Sequence, residues 1–473
     1  MKTEIVAQPK FEGKKMIFGK FKELFFVGIG GAGMSGIAEI LLNLGYKVSG
    51  SDISSSEMTE YLEQIGIKIY PQHQPGNIGS ANVVVISSAV RDDNPEVIEA
   101  RHRGIPVIKR AEMLGELMRL KYSIGIAGTH GKTTTTSMIG KIMTDAHLDP
   151  TIIVGGIVAG RGSGASLGGG DYLVAEADEY DRSFLSMFPS MSVITNIEPD
   201  HLDCYDGMTD LENSFLNYMN RVPFYGMVVY SADDPTLRKL QDRITRASVS
   251  FGFSAKADYQ AVNPQYREGG SQFAVFKSGE KRGDFSLDVP GKHNVLNAIA
   301  SIAATAELEI PFEIIADSLR KFRGVGRRFE IKGIVNNIMV VDDYAHHPTE
   351  VIATLETAKS SYNRRVIAIF QPHLFSRTKQ FYKEFAEALH RADFAFLADI
   401  YPARERPTEG VTSEMIAAHA AEQGYDNIKF IGPKENAVEE VLKIARSGDM
   451  IITIGAGSIT RINPDIIMRL KGK

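Results

Sequence analysis

Short apolar runs alternate with helical spacing over the first 120 residues of the chain. The apolar runs are as long as buried strands, and the segments between them have helical periodicity. In order, the predicted strands and helices are residues 24–27, 34–44, 46–49, 83–86 and 112–120. Strands that alternate with helices are typical of a parallel α/β sheet, so the pattern predicts a first, Rossmann-like unit.

The same alternation continues over residues 121–323. A β-rich segment interrupts it, and two helical segments follow. The predicted elements are strands 122–126, 172–175 and 192–194, a helix ending at Met143, the β-rich segment 247–289, and helices 294–307 and 311–322.

Two glycines break the helical periodicity within residues 323–328, which predicts a linker. Four further apolar runs follow it, at 338–341, 366–370, 394–397 and 450–454. The predicted fold class is therefore α/β with three domains. Residues 1–120 are expected to be Rossmann-like, 121–323 P-loop ATPase-like with a mostly parallel sheet, and 324–473 Rossmann-like.

Composition fits this organisation, because 473 residues suffice for about three domains of roughly 150 residues each. The net charge of −5 gives no reason to expect nucleic acid or a membrane surface as partner. Cys204 is the only cysteine, which excludes an intrachain disulfide and fits a reducing compartment. The sequence has no apolar segment typical of a secretory signal or a membrane span, so we expect a cytoplasmic protein.

A first glycine-rich loop follows the strand at 24–27. Its residues Gly28, Gly30, Gly31, Ala32 and Gly33 have the spacing of a turn that brings a pyrophosphate close to a helix N-terminus. Asp52 follows the next strand, where such folds often place a carboxylate that contacts a ribose. Alone, this loop also fits an NAD-dependent oxidoreductase.

A second loop, residues 128–134, contains a Gly-Lys-Thr at a strand-to-helix turn. Its residues are Gly128, Thr129, His130, Gly131, Lys132, Thr133 and Thr134. Lys132 is expected to neutralise phosphate charge and Thr133 to bind the metal of a nucleotide. The spacing departs from the general P-loop, since Ile126 stands where its first glycine should be. A regulatory protein gated by nucleotide, without bond formation, would also use such a loop.

Acidic side chains follow the strand at 172–175. Glu176, at the strand tip, is predicted to bind Mg²⁺, whereas Asp178, Glu179 and Asp181 are predicted to form a solvated acidic loop. His201, after the strand at 192–194, is a possible second ligand that spacing alone leaves open.

Polar clusters end two strands of the third domain, at residues 342–348 and 371–377. Because open α/β sheets bind ligands at the carboxyl ends of their strands, two such loops on one sheet edge predict a site there.

Taken together, these loops resemble the Mur ligase family, the ATP-dependent amino-acid-adding enzymes of peptidoglycan synthesis. The resemblance extends from about residue 20 to Gly455–Ser458 and accounts for the unusual spacing of the second loop. It implies ATP and Mg²⁺ (or Mn²⁺) as cofactors, with the first loop binding a UDP sugar. It further implies metal binding by Thr133, Glu176 and His201, and nucleotide binding by His293, Asn294, Asn297, Arg328 and Asp343.

The resemblance places an amino-acid substrate in the third domain, near Tyr344, His346, His373 and Arg377. Arg377 suits its carboxylate, and Lys132, His346 and Arg377 are the expected catalytic residues. Within the family, the loops favour addition of L-alanine to UDP-N-acetylmuramate. We expect the protein to be a monomer or weak homodimer. The alternative is attachment of a recycled tripeptide to the same UDP sugar.

Overall fold

The fold is that of a computed structural model, which describes residues 19–87, 89–154, 165–200, 204–403 and 405–472. Within these residues the strands form three sheets, each flanked by helices. The α/β class, the three domains and the dominance of parallel pairing are confirmed. None of the described helices combines the length and apolar character needed to cross a bilayer.

The first sheet has the strand order β3-β2-β1-β4-β5, and its pairs are parallel. Helix α1 begins directly after β1 and the glycine-rich loop. The elements are β1 (Glu23–Val27), α1 (Ala32–Asn43), β2 (Lys47–Ser51), α2 (Glu57–Gln64), β3 (Lys68–Tyr70), β4 (Val83–Ile86), α3 (Pro95–His102), β5 (Val107–Lys109) and α4 (Arg110–Met118).

The second sheet has the order β15-β14-β13-β12-β11-β10-β6-β9-β7-β8. Strand β6, which precedes the second loop, lies in its interior between β10 and β9. The elements are β6 (Tyr122–Ala127), α5 (Lys132–Asp145), β7 (Thr151–Ile153), β8 (Ala165–Ser166), β9 (Tyr172–Glu176), β10 (Met191–Ile194), α6 (Met208–Asn220), β11 (Met227–Ser231), α7 (Pro235–Leu240), β12 (Ser248–Gly252), β13 (Tyr259–Arg267), β14 (Gly270–Lys277), β15 (Glu280–Leu287), α8 (Lys292–Ala306) and α9 (Phe312–Arg320).

The third sheet has the order β16-β17-β21-β18-β19-β20, with β16 antiparallel to β17. Its interior strands are buried on both faces; Val340 and Val341, for example, pack into different clusters of the core. The elements are β16 (Glu330–Val335), β17 (Ile338–Asp343), α10 (Pro348–Ser361), β18 (Arg365–Phe370), α11 (Phe375–Leu389), β19 (Phe394–Ala398), α12 (Glu414–Glu422), β20 (Ile428–Gly432), α13 (Asn436–Ile444), β21 (Asp449–Ile454) and α14 (Asn463–Lys471).

The chain divides into two compact units. One contains the described residues of Met1–Val262, Ala274–Gly283 and Leu296–Leu319, and the other those of Asn263–Phe273, Asp284–Val295 and Arg320–Lys473. The first and second loops therefore belong to one unit, and the third sheet belongs to the other. The predicted domain boundaries at 120 and 323 stay predictions.

Glycines bring the first two sheets together inside the first unit. A Cβ added to Gly36 of α1 would lie 2.7 Å from the Cβ of Ala165, and one added to Gly115 of α4 would lie 2.4 Å from the carbonyl oxygen of Ser186. Both distances are too short for a real Cβ atom, so neither position has room for a residue larger than glycine. Helix α1, which follows the first loop, is thus packed directly on β8 of the second sheet, and α4 is packed on the segment that follows β9.

Candidate functional site

The first glycine-rich loop is held by the end of β2. The backbone N–H groups of Gly28 and Ile29 donate to the carbonyl of Ser51, at 2.8 and 3.1 Å. Gly28 has a φ of +76°, which favours glycine. The chain then enters α1 at Ala32 and Gly33, where a helix leaves N–H groups without intrahelical acceptors. This turn is suited to an anion, as the sequence predicted.

Asp52 also supports this loop. Its Oδ2 accepts the N–H of Gly30 at 2.9 Å, and its Oδ1 accepts the N–H and hydroxyl of Ser54 at 3.0 and 2.9 Å. The carboxylate is therefore already bound to the loop, and its predicted contact with a ribose stays a prediction.

Arg110 is a residue of this site that the sequence interpretation missed. It begins α4, directly after β5, and a Cβ added to Gly33 would lie only 2.9 Å from its Nη1. The half-buried guanidinium thus lies against the first turn of α1. No local signal in the sequence marks it, because the strand that precedes it, Val107–Lys109, was not predicted.

The second loop connects β6 to α5. Gly128 and Gly131 have φ angles of +134° and +83°. A Cβ on Gly128 would lie 2.1 Å from Oγ1 of Thr195, and one on Gly131 would lie 2.4 Å from Oδ1 of Asn297. Both backbone conformation and space therefore require glycine, and Asn297 lies against the start of α5.

The segment after β10 holds the second loop in place. The N–H of His130 donates to Oδ1 of Asn196 at 2.9 Å, and the amide of Asn196 donates back to the carbonyl of His130 at 3.0 Å. The N–H of Glu198 donates to the hydroxyl of Thr129 at 2.9 Å. The described residues of the cluster 195–203 therefore hold the second loop in position through hydrogen bonds.

Lys132 lies inside a cage of oxygen atoms. Its ammonium group donates to the carbonyls of Gly128 and Thr129, at 2.7 and 3.2 Å, and to Oε2 of Glu179 at 2.7 Å. Burial alone would lower the pKa of Lys132, but the negative charge of Glu179 and its acidic neighbours raises that pKa well above its usual range. Lys132 is therefore a fixed cation at the start of α5.

The prediction that Glu179 belongs to a solvated acidic loop is wrong. Its side chain is only 2% exposed, because it pairs with Lys132 in the interior, and this burial raises the pKa of its carboxyl group. Asp181 does remain largely exposed, and it pairs with Lys109 at 2.9 Å. The acidic loop thus contacts both the second loop and the end of β5.

Glu176 ends β9, in register with Ile126 of β6 and therefore next to the start of the second loop. With the hydroxyl of Thr133 it offers oxygen donors of the kind that Mg²⁺ prefers, and its charge contributes to the raised pKa of Lys132. These residues fit a magnesium site. His201, the further predicted ligand, lies outside the described residues.

In the second unit, Arg328 lies near two titratable side chains, those of Asp343 and His293. Asp343 accepts the N–H groups of Phe329 and Ala345, both at 2.8 Å. Burial raises the pKa of Asp343 to about 6, although Arg328 opposes the shift. Partial burial of His293, together with the charge of Arg328, lowers its pKa to about 4. The amide of Asn294 donates to the carbonyl of Pro290 at 2.7 Å.

Aromatic rings of the second unit form a continuous row after β17 and β18. The ring centroids of Tyr344 and His346 are 5.4 Å apart, those of His346 and His373 are 6.0 Å apart, and His373 stacks on Tyr401 at 5.8 Å. The predicted residues of the two loops are therefore brought together, and Tyr401 is an addition that the sequence interpretation missed.

His346 is oriented by Tyr344 and by Glu350 of the helix that follows, α10. Its Nδ1 lies 3.0 Å from the carbonyl of Tyr344 and 3.2 Å from Oε2 of Glu350. Arg377 lies in the first turn of α11 and is 6% exposed.

Three family models match the chain in series. Residues 23–122 match the Mur ligase family, catalytic domain; residues 126–305 match the Mur ligase middle domain; and residues 327–457 match the Mur ligase, glutamate ligase domain.

Similar proteins extend over nearly the whole chain. The UDP-N-acetylmuramate–L-alanine ligase of Geotalea daltonii is 49% identical over 455 residues, which cover 96% of this chain and 99% of the relative. The crystal structure of UDP-N-acetylmuramate-alanine ligase from Thermotoga maritima is 31% identical, with a TM-score of 0.81 and coverage of 95% and 99%. A murein peptide ligase from Psychrobacter arcticus is 25% identical, with a TM-score of 0.69 and coverage of 96% and 99%.

Proposed function

The chain belongs to the Mur ligase family, and we infer that it joins L-alanine to UDP-N-acetylmuramate with conversion of ATP to ADP and phosphate. It is an ATP-dependent acid–amino-acid ligase of peptidoglycan precursor synthesis. We expect the reaction in the cytoplasm, where both nucleotide substrates are made, and a monomer or weak homodimer as the active form.

We propose that the UDP end of the acceptor binds at the first loop. Backbone N–H groups at Ala32 and Gly33 meet the diphosphate, and Arg110 supplies the positive charge beside Gly33. Asp52 keeps the loop in shape through Gly30. Because the chain has a net charge of −5, binding of the dianionic diphosphate requires positive charge at the site itself.

We propose that ATP binds at the second loop, with the ammonium of Lys132 at its β- and γ-phosphates. The cage that holds Lys132 fixes this charge before the reaction, which is where preorganised electrostatics is most effective. Glu176 and Thr133 would hold Mg²⁺, which neutralises phosphate charge when bound. His293, Asn294, Asn297, Arg328 and Asp343 are proposed to complete nucleotide binding.

The chemistry requires an activated carboxylate. A lactyl carboxylate oxygen attacks the γ-phosphorus of ATP, the bond to ADP breaks, and an acyl phosphate forms. The amine of alanine then attacks the acyl carbon, and the tetrahedral intermediate collapses with loss of inorganic phosphate. Lys132 stabilises the charge on the transferring phosphoryl group.

We propose that alanine binds in the second unit. Arg377 pairs with its carboxylate, and Tyr344 and His373 flank it within the aromatic row. His346, which Glu350 and the carbonyl of Tyr344 orient, accepts a proton from the alanine ammonium.

The observation that carries the choice of substrate is the identity of 49% over nearly the full length of an alanine-adding relative. The tripeptide-attaching alternative is less supported, since the murein peptide ligase shares only 25% identity.

An ADP-release assay with UDP-N-acetylmuramate and a panel of alanine, serine, glycine and the tripeptide tests this function. We expect ADP release that requires both the UDP sugar and alanine, with alanine as the preferred amino acid. Lys132→Ala should abolish it while UDP-sugar binding persists. Preference for the tripeptide, or release without any amino acid, would overturn the proposal.

A further inference from the structure

A turn with two exposed aromatic side chains lies at the amino-terminal edge of the second sheet and takes no part in the function proposed above. It consists of residues Pro223–Gly226, between α6 and β11, and is hereafter the aromatic turn. The N–H of Gly226 donates to the carbonyl of Pro223 at 2.9 Å, which closes a four-residue turn with Phe224 and Tyr225 at its tip. Phe224 is 90% exposed and Tyr225 is 65% exposed. Two adjacent aromatic rings are therefore presented to solvent instead of packing into the core.

A third exposed ring, that of Phe188, lies at the same edge of the sheet. Phe188 precedes β10, the parallel neighbour of β11, and is 41% exposed. The aromatic turn packs against this segment, since a Cβ added to Gly226 would lie 2.0 Å from the carbonyl oxygen of Ser190. The guanidinium carbons of Arg119 and Arg221 lie 4.5 and 5.1 Å from the centroid of the Phe188 ring. These cation–π contacts place two arginines among the exposed rings.

The charge around the aromatic turn is mainly positive. Nε of Arg246 donates to the backbone carbonyl directly before the turn, at 2.6 Å, so three guanidinium groups surround the rings, those of Arg119, Arg221 and Arg246. Glu116, 3.3 Å from Arg119, and the exposed Asp171, which precedes β9, offset part of this charge. The net charge of −5 gave no reason to expect a membrane surface as partner, because a total does not show such a local excess of arginine.

This combination favours an anionic lipid surface over other partners. Aromatic rings on a projecting turn insert at the headgroup level of a bilayer, and arginines beside them are attracted to anionic lipids. A second copy of the chain would bring like charges together. Single-stranded nucleic acid stacks its bases on aromatic faces, but Phe224 and Tyr225 meet edge to face, at an interplanar angle of 86°, and the ring of Phe188 already contacts two guanidinium groups.

We propose that the amino-terminal edge of the second sheet binds the surface of an anionic phospholipid bilayer. Phe224 and Tyr225 insert among the headgroups, and Arg119, Arg221 and Arg246 lie at the lipid phosphates. Strands β6, β10 and β11 are parallel, and the second loop follows the carboxyl end of β6. The lipid surface therefore meets the edge of the sheet opposite to the second loop, and the proposal does not depend on the function inferred above.

Sedimentation of the full-length protein with lipid vesicles tests this proposal. The probes are vesicles of phosphatidylcholine alone and of phosphatidylcholine mixed equally with phosphatidylglycerol. The wild type should bind the anionic vesicles at least about tenfold more tightly than the neutral ones. Phe224→Ser/Tyr225→Ser should weaken this binding by about tenfold or more, and Arg221→Gln by about fivefold, the factor expected for one charge at an anionic surface. No binding to anionic vesicles, equal binding to both kinds, or unchanged binding in either variant would overturn the proposal.

Met468→Ser and Arg391→Gln are the matched controls. Met468 is 62% exposed on α14, and Arg391 pairs with Glu356 at the surface of the second unit. Both variants should bind the anionic vesicles as tightly as the wild type does. Since Phe224 and Tyr225 are exposed, their replacement should leave the midpoint of urea unfolding unchanged, which separates a loss of lipid binding from a loss of folding.

A single introduced tryptophan gives a second measurement that does not remove the aromatic ring, because the chain contains no tryptophan. The fluorescence emission of Phe224→Trp should shift to shorter wavelength when anionic vesicles are added, and that of Met468→Trp should not. A shift with single-stranded RNA but not with vesicles would identify nucleic acid as the partner and overturn the proposal. A shift that grows with protein concentration in the absence of lipid, without a response to vesicles, would identify a second copy of the chain and overturn it as well.

Discussion

The ammonium of Lys132 lies 2.7 Å from Oε2 of Glu179, and only 16% and 2% of the two side chains are exposed. The lysine that should meet the phosphates of ATP is thus part of a buried ion pair with the acidic loop after β9. Since the same loop pairs with Lys109 through Asp181, it connects the second loop with the end of β5.

Removal of one partner of this pair should destabilise the protein. Lys132→Met leaves the Glu179 carboxylate buried without its cation, which is expected to lower the free energy of unfolding by about 3 kcal/mol. The double variant Lys132→Met/Glu179→Gln should recover most of this loss, because no buried charge is left unpaired. Urea unfolding of the wild type, both single variants and the double variant measures the coupling. Additive losses would show that the pair contributes nothing.

The side chain of Asn297 should prevent the replacement of Gly131 by a larger residue. Gly131→Ala places a Cβ 2.4 Å from Oδ1 of Asn297 and forces a non-glycine residue to a φ of +83°. We expect a KM for ATP raised by about fivefold or more, from strain of at least about 1 kcal/mol in the loop. Gly131→Ala/Asn297→Ala should recover the part due to the clash, but not the part due to the backbone. Gly269→Ala, at a φ of +79° with open space around it, is the control for backbone strain alone.

The elements of the fold that could be predicted from sequence are mainly the strands that are buried on both faces of a sheet. Such strands are continuous apolar runs, and Val83–Ile86 was predicted with its observed bounds. The polar helix Glu57–Gln64 and the three-residue strands Lys68–Tyr70 and Val107–Lys109 were missed. Their conformations depend on neighbours in the sheet, and too few residues carry a periodic signal.

The residues of the candidate site likewise fall into two groups, those that the local sequence predicts and those that depend on tertiary contacts. The two glycine-rich loops were found because their chemistry lies within seven consecutive residues or fewer. Glu179 was interpreted wrongly because its burial depends on Lys132, 47 positions away. Arg110 was missed for a similar reason, since nothing local shows that it reaches Gly33. Burial of a charge is decided by tertiary contacts that a local pattern does not contain.

Arg110 should control affinity for the UDP sugar. Arg110→Met removes the positive charge beside the first turn of α1, so the KM for UDP-N-acetylmuramate should rise by about 10- to 100-fold, as expected for a charge-assisted hydrogen bond. The KM for ATP should stay unchanged. Steady-state kinetics with Arg101→Met as control, an exposed arginine of α3 that pairs with Asp92, checks this. An unchanged KM for the UDP sugar would rule out the role of Arg110.

His293 should make the stability of the protein depend on pH in a defined direction. Its pKa is about 4 in the folded protein against 6.5 for an ordinary histidine, because of burial and the nearby Arg328. The unfolded chain therefore takes up a proton first. The stabilisation is fully present above pH 6.5 and is lost as the pH falls towards 4.

His293→Gln cannot take up this proton. Unfolding in urea at pH 7, 6, 5 and 4 should therefore show the difference in unfolding free energy, wild type minus variant, falling by about 3 kcal/mol at most. Asp343, whose pKa of about 6 gives the opposite pH dependence, is present in both proteins and largely cancels in the difference. His390→Gln, at an exposed histidine that ends α11, should leave the profile of the wild type unchanged. A difference that is constant from pH 7 to 4 would mean that His293 is protonated in the folded protein as readily as in the unfolded chain.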